Sequence, residues 1–455
     1  MSRRPPRARN ASACVAVGRG GMRGAVRALV VVGVVACALI ACGDDAPKPE
    51  PFTVWAFEER TGPEGTDTPL AGGQVAFDPP GGGARMLATA AEDGHATFEA
   101  DFSGGGGTVS VFDRSHVLVS VIGASPTSAA AQPNPLGKPA SDLVLFAPRL
   151  DDAVRSTSVE LRGAFTSKRD AASSIDLSAS GIPQLGAVET TDPSYVLRAP
   201  RGRPFFLIGH ESRNVTSDEQ KVENELLGSF RIDVGPLDVD TTRDIDVAKA
   251  TKLDVRVVHL RAEFPSGPTT RFGAGTRGSA IVLSADSKVL IAPIKSATPS
   301  ADGRAFDLAM YVAATDIAPE RPLTRASLVA KDGSRSIRVE PGIAANDTTW
   351  SDFLTPPQVT ESATPTALTE PITFDDFPAG AELGIEVYAG TQLAWIIRGS
   401  TRAPLEPIKL PVPLEVRLPA LVAVSFVAKA GRVDLAPRGE VFRRVAISHD
   451  VLFRR

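Results

Sequence analysis

Cysteine is almost missing from this chain of 455 residues, and the three that occur, Cys14, Cys37 and Cys42, all precede residue 43. Beyond that point there is no thiol for a disulfide, a thiolate metal site or a cysteine nucleophile, so the domains there depend on core packing alone. Histidine is also scarce. His95, His116, His210, His259 and His449 are scattered without metal-ligand spacing, and His210-Glu211 does not continue into HExxH. No GxSxG elbow occurs, which removes local support for an α/β-hydrolase nucleophile, although distant residues can still assemble a triad. Positive charge is in deficit as well, with 49 Lys and Arg against 53 Asp and Glu. Seven of those arginines sit in residues 1–41, where there is no acid, so removing that segment takes the formal charge from −4 to −11. An acidic chain lacks the basic stripe that a nucleic-acid partner requires.

What the chain does have begins near its N-terminus. Residues 28–41, ALVVVGVVACALIA, form an uncharged run of fourteen behind Arg23 and Arg27. That length suits a signal-peptide hydrophobic region and falls short of the roughly 20 residues a spanning helix needs. Met22 opens a compact signal by itself, so the expected start is Met22, or else residues 1–21 are a disordered extension. Leu39-Ile40-Ala41-Cys42 resembles a bacterial lipobox, with an ordinary secretory signal and an incidental cysteine as the plainer alternative. The resemblance implies cleavage before Cys42, acylation of its thiol and a lipid-anchored envelope protein, with the outer membrane as the expected site. Each buried methylene of an anchor contributes about 0.8 kcal/mol, and more than one chain makes attachment stable.

The remainder reads as all-β, a string of three to four antiparallel β-sandwich modules. Forty glycines and 37 prolines punctuate short runs with period-two alternation, as in Leu253-Asp254-Val255-Arg256-Val257 and in Leu383, Ile385 and Val387. Asp93-Gly94, Asp302-Gly303 and Asp332-Gly333 sit between apolar runs and predict hairpin turns, because both residue types tolerate positive φ. The only helix-like stretch is Ser217–Leu227, where Val222 and Leu226 share a face.

Residues 124–141 and 355–371 are rich in Pro, Ser, Thr and Ala and read as linkers. They set expected modules at 53–123, 142–250, 251–354 and 372–455, with 42–52 as a polar tether. Pro69-Leu70-Ala71-Gly72-Gly73-Gln74-Val75, then Thr89 and Asp93-Gly94-His95-Ala96-Thr97-Phe98, resembles the carboxypeptidase regulatory-like, transthyretin-like module. The resemblance implies a seven-stranded sandwich serving as a spacer or binding module, with no catalytic residues to carry over. More loosely, 372–455 resembles a fibronectin type III or immunoglobulin-like sandwich with Trp395 in its core.

Two strings invite chemistry. Gly273-Ala274-Gly275-Thr276-Arg277-Gly278 matches GxGxxG, but the strand-like Ser279–Leu283 follows where a dinucleotide site needs a helix. Asp238, Asp240, Asp244 and Asp246 form a spaced acidic group that could supply calcium ligands, or simply the solvated face of a strand, since EF-hand spacing is absent. Asp375-Asp376 is weaker, because neighbours on a strand point to opposite faces. The expectation is a non-catalytic, membrane-anchored lipoprotein that needs no cofactor and binds a protein or polysaccharide, or acts as a spacer. The alternatives are a glycan-active enzyme or its accessory domain, and a calcium-dependent adhesion module.

Overall fold

The computed structural model describes residues 49–59, 68–130, 137–150, 158–180, 187–217, 221–265, 271–284, 290–313, 322–360, 364–402, 418–433 and 441–454. Cys42 and the signal segment lie outside them. The described chain is all-β: 32 strands, and one helix of five residues, Pro126–Ala130. None of its helices is long and apolar enough to cross a membrane.

Side chains divide into four hydrophobic cores. The first is closed by seven strands. Glu50–Glu58 pairs antiparallel with His95–Ala100 and parallel with Leu143–Ala147. Opposite lie Gln74–Asp78, Met86–Thr89, Gly107–Phe112 and Leu118–Ala124. The seventh strand follows the segment read as a linker. Ala129 of the short helix is buried in the same core. The Ser- and Ala-rich stretch therefore falls within one sandwich rather than between two modules.

The second presumed linker is also built into the fold. Gln358–Val359 pairs with Phe374–Asp376, and Thr366–Ala367 pairs parallel with Val451–Arg454. Val359, Leu368 and Ile372 enter the C-terminal core. Composition hid this, because two apolar side chains among threonines and prolines, with Ile372 just beyond, suffice to pin the segment.

Sheets run across the expected boundaries. A nine-stranded sheet carries strands from both sides of residue 250, and a 14-stranded sheet reaches from Met86–Thr89 to the strands of 277–341 through the C-terminal region. The seams are strands buried on both faces. Phe205 and Leu207 enter one core while Phe206 and Ile208 enter another. Leu118 likewise faces the core around Trp395, whereas Val119 and Val121 face the first core. Such strands read as continuous apolar runs rather than alternating ones.

The turn chemistry behaves as the sequence dictates. In all three Asp-Gly turns the glycine has positive φ and its N–H donates to the carbonyl three residues back, at 2.9–3.0 Å. Each aspartate accepts from the backbone N–H two residues on. Two of them close hairpins, Ile294–Pro299 with Ala305–Ala313 and Pro322–Val329 with Arg335–Pro341. Asp93-Gly94 instead arches between sheets, since Met86–Thr89 and His95–Ala100 pair with different neighbours. The helix expected at Ser217–Leu227 is replaced by an antiparallel ribbon, Phe205–Ser217 with Val222–Val234. Val222 and Leu226 are four apart, an even spacing that puts them on one face of a strand as well as of a helix. Gly273–Gly278 is a bend and turn leading into the strand Arg277–Ser284, as expected of a loop.

Candidate functional site

A cleft of about 620 Å³ whose floor is the 14-stranded sheet gathers many polar side chains. Pairing sets the row of floor residues. Arg335 stands opposite Ile447, Ile447 opposite Val427, and Ser425 opposite Glu386. Residues two apart on a strand share a face, which adds Tyr388 beside Glu386. The rim comes from turns: Asp332-Gly333 of one hairpin, Gly390-Thr391 of another, and Ser448-His449-Asp450 between Val441–Ile447 and Val451–Arg454.

Hydrogen bonds fix these groups. The Tyr388 hydroxyl donates to Glu386 Oε2 at 2.6 Å, and burial together with that carboxylate raises the phenol's pKa. Ser425 Oγ donates to Asp450 Oδ1 at 2.5 Å. Arg271 Nη1 donates to Asp332 Oδ2 at 2.5 Å and to His449 Nδ1 at 2.9 Å. Burial opposes the charge on Asp332, but Arg271 and the Ser334 amide outweigh it and hold its carboxyl below the usual range. Ser448 Oγ accepts from the Phe426 amide and donates to the His449 carbonyl, which locks the turn.

A second cleft of about 560 Å³ adjoins the first and shares His449 and Asp450 with it. Its lining is different in kind: Thr360, Thr364, Thr366 and Thr373 with Pro365, Pro371 and Phe453. Nothing local in the sequence flags either cleft. Their residues come from seven separated stretches that only the tertiary fold assembles.

The aspartates singled out from sequence have other partners. Residues 241–242 and 245–246 run parallel to Ser158–Thr166. Just before the first of those pairs Asp240 Oδ1 accepts from the Glu160 amide, and between the two Asp244 Oδ1 accepts from the Ala164 amide, each at 2.8 Å. The carboxylates substitute for strand carbonyls along an edge. Asp246 pairs with Lys249 at 2.9 Å, and Asp238 is exposed. Among the described residues no group of three or more His, Cys, Asp or Glu side chains is placed to hold a metal.

A third polar cluster ties the first sandwich together. Buried His116 faces Asp113 Oδ1 through Nδ1 at 2.8 Å and Glu58 Oε2 through Nε2 at 3.5 Å, the latter an ion-pair distance without hydrogen-bond alignment. Arg149 joins Glu58 at 2.7 Å. Burial disfavours charge on Glu58, yet His116 and Arg149 hold its pKa at about 2. Asp113 is likewise at about 2, against burial, through Ser115 and His116. Burial lowers the His116 pKa, and the two carboxylates more than offset it, leaving it raised. Ser115 Oγ approaches the same ring nitrogen as Asp113, whereas a nucleophilic triad places serine and acid on opposite nitrogens.

No protein-family model and no curated protein matches this chain. Among solved structures, the chain is similar to the Bacillus anthracis TIE protein at 11% identity and a TM-score of 0.17. The match covers 68% of this chain and spans about half, 51%, of the other.

Proposed function

We propose that this protein is a non-catalytic lipoprotein of the bacterial envelope, anchored through acylated Cys42, that binds a partner at the paired clefts meeting at His449 and Asp450. Residues 28–45 support the anchor, with a short apolar run ending in a small residue, a cysteine and a polar turn. The observation that carries the binding role is the cleft itself, whose carboxylates and hydroxyls are already hydrogen-bonded to one another on a rigid sheet floor. Preformed, internally fixed polar groups suit recognition. The shared 14-stranded sheet also favours binding over a spacer role, because a spacer gains reach from modules laid end to end, and here the first and last are bonded side by side.

The reading predicts that cells fed a tritiated fatty acid label the wild-type protein and leave Cys42→Ala unlabelled. Brief protease treatment of intact cells, with a C-terminal tag and a periplasmic control, then reports orientation. Loss of the tag places the clefts outward, and survival places them in the periplasm. Absence of label on the wild type would overturn the anchor.

One observation favours a second reading. Asp332, Glu386 and Asp450 line one cleft, and paired carboxylates about 5–9.5 Å apart hydrolyse glycosidic bonds. Release of reducing ends from a polysaccharide, abolished by Glu386→Gln, would establish it.

A further inference from the structure

We infer that the two clefts form one elongated groove for a polysaccharide built of neutral or amine-bearing sugars. The inference rests on the binding role proposed above and deepens it by naming the ligand class. Three features carry it.

Shape comes first. The clefts of about 620 and 560 Å³ meet at His449 and Asp450, and each falls within the range of roughly 300–1,000 Å³ typical of ligand sites. Two such adjoining spaces suit an extended chain better than a single compact molecule.

The second feature is hydrogen-bonding chemistry. Glu386 and Asp450 each already accept a hydroxyl, from Tyr388 and Ser425. An ionised carboxylate offers about four acceptor positions, so each retains capacity for further hydroxyl donors. Sugar hydroxyls are that kind of donor. In the adjoining cleft, threonine hydroxyls alternate with the apolar surfaces of Pro365, Pro371 and Phe453, which match the two-sided character of a sugar ring. A peptide finds less. Extended peptides bind by adding to a sheet edge, and this floor is a sheet face whose backbone groups are committed to its own ladders.

Charge is third. Asp332, Glu386 and Asp450 still outnumber the guanidiniums of Arg335 and of Arg271, which pairs with Asp332 at 2.5 Å. A polyuronate or polyphosphate would meet net repulsion, whereas an amino sugar would gain an ion pair.

The test uses the full lipidated chain in detergent, with immobilised cellohexaose, chitohexaose, partly deacetylated chitosan hexamer and hexagalacturonate as probes, and a proline-rich decapeptide for comparison. Binding is expected for at least one of the first three and not for hexagalacturonate. Glu386→Gln and Asp450→Asn should each weaken it at least tenfold without moving the melting temperature, while Asp238→Asn leaves it unchanged. Binding of none of the three sugar probes, preference for hexagalacturonate or the peptide, or affinity indifferent to both cleft variants would overturn the inference. Fatty-acid labelling reports on the anchor independently, so a failure of one is distinguishable from a failure of the other.

Discussion

The indole Nε1 of Trp395 donates to Ser120 Oγ at 2.9 Å, joining two buried side chains 275 residues apart in sequence. Ser120 in turn shares a hydrogen bond of 2.7 Å with buried Ser110, so a short polar chain crosses three neighbouring strands. Around it the parallel pairing of Trp395–Gly399 with Leu118–Ile122 welds the first sandwich to the last.

Removing the donor while keeping a ring measures that weld. Trp395→Phe leaves Ser120 with one partner fewer in a dry site and also loses volume, and each change costs about 1–3 kcal/mol. Ser120→Ala should cost about the same as the lost hydrogen bond. A double-mutant cycle in urea should then show a coupling of at least ~0.5 kcal/mol. Strict additivity would mean that the bond contributes nothing.

His210 is expected to make the protein acid-sensitive. Its ring is fully buried, contacts Ser229 Oγ at 2.8 Å and the Leu290 carbonyl at 3.1 Å, and burial pushes its pKa down to about 4. A depressed histidine favours the fold above its ordinary value near 6.5, and that contribution is lost as pH falls toward 4. The span corresponds to about 3 kcal/mol. His210→Gln should be less stable at pH 7.5, and its deficit should shrink on acidification to pH 4.5. A deficit constant with pH would contradict the assignment.

His116 works in the opposite direction. Its pKa is raised by Glu58 and Asp113, so its contribution is complete below about 6.5 and fades as pH rises through the folded value. The two carboxylates, both at about 2, contribute above the ordinary carboxylate range and lose that contribution as pH falls toward 2. His116→Gln should therefore cost about 1–3 kcal/mol at pH 5.5 and less at pH 8.5. Chemical denaturation at the two pH values reads the difference.

The aspartate edge separates a structural role from a calcium site. Asp244→Asn keeps an oxygen to accept from the Ala164 amide, whereas Asp244→Ala leaves that exposed amide to water at a cost of about 0.5–1.5 kcal/mol. Melting temperature should follow the order wild type, Asn, Ala, with no change on adding calcium. A calcium-dependent rise lost in both variants would restore the calcium reading. Gly163→Ala should be worse than either, because a Cβ there would lie 1.9 Å from the Arg243 carbonyl oxygen.

Much of the architecture was legible. Asp302-Gly303 and Asp332-Gly333 close hairpins because their requirement for positive φ is local and chemical. Trp395, read as core, is fully buried. The module seams were harder to see, though Phe205–Ile208 is an unbroken apolar run and Val117–Val121 is interrupted only by Ser120, the mark of strands covered on both faces. The cleft could not be read at all. Arg335, Glu386, Ser425 and Asp450 become neighbours only through strand register, which no window of sequence contains. The partners of the acidic group at 238–246 were hidden for a related reason: Asp240 and Asp244 answer two backbone amides eighty residues earlier.

The parallel pairing of Leu118–Ile122 with Trp395–Gly399 also bears on the order in which the molecule is assembled. A chain emerging from its N-terminus makes the first sandwich early, yet the apolar face carrying Leu118 has no cover until some 270 residues more have appeared. During that interval a hydrophobic strand with an unpaired edge is exposed, and contacts this distant in sequence form slowly. The cover over Leu118 is therefore completed only when the C-terminal strand Gln392–Arg402 has been made.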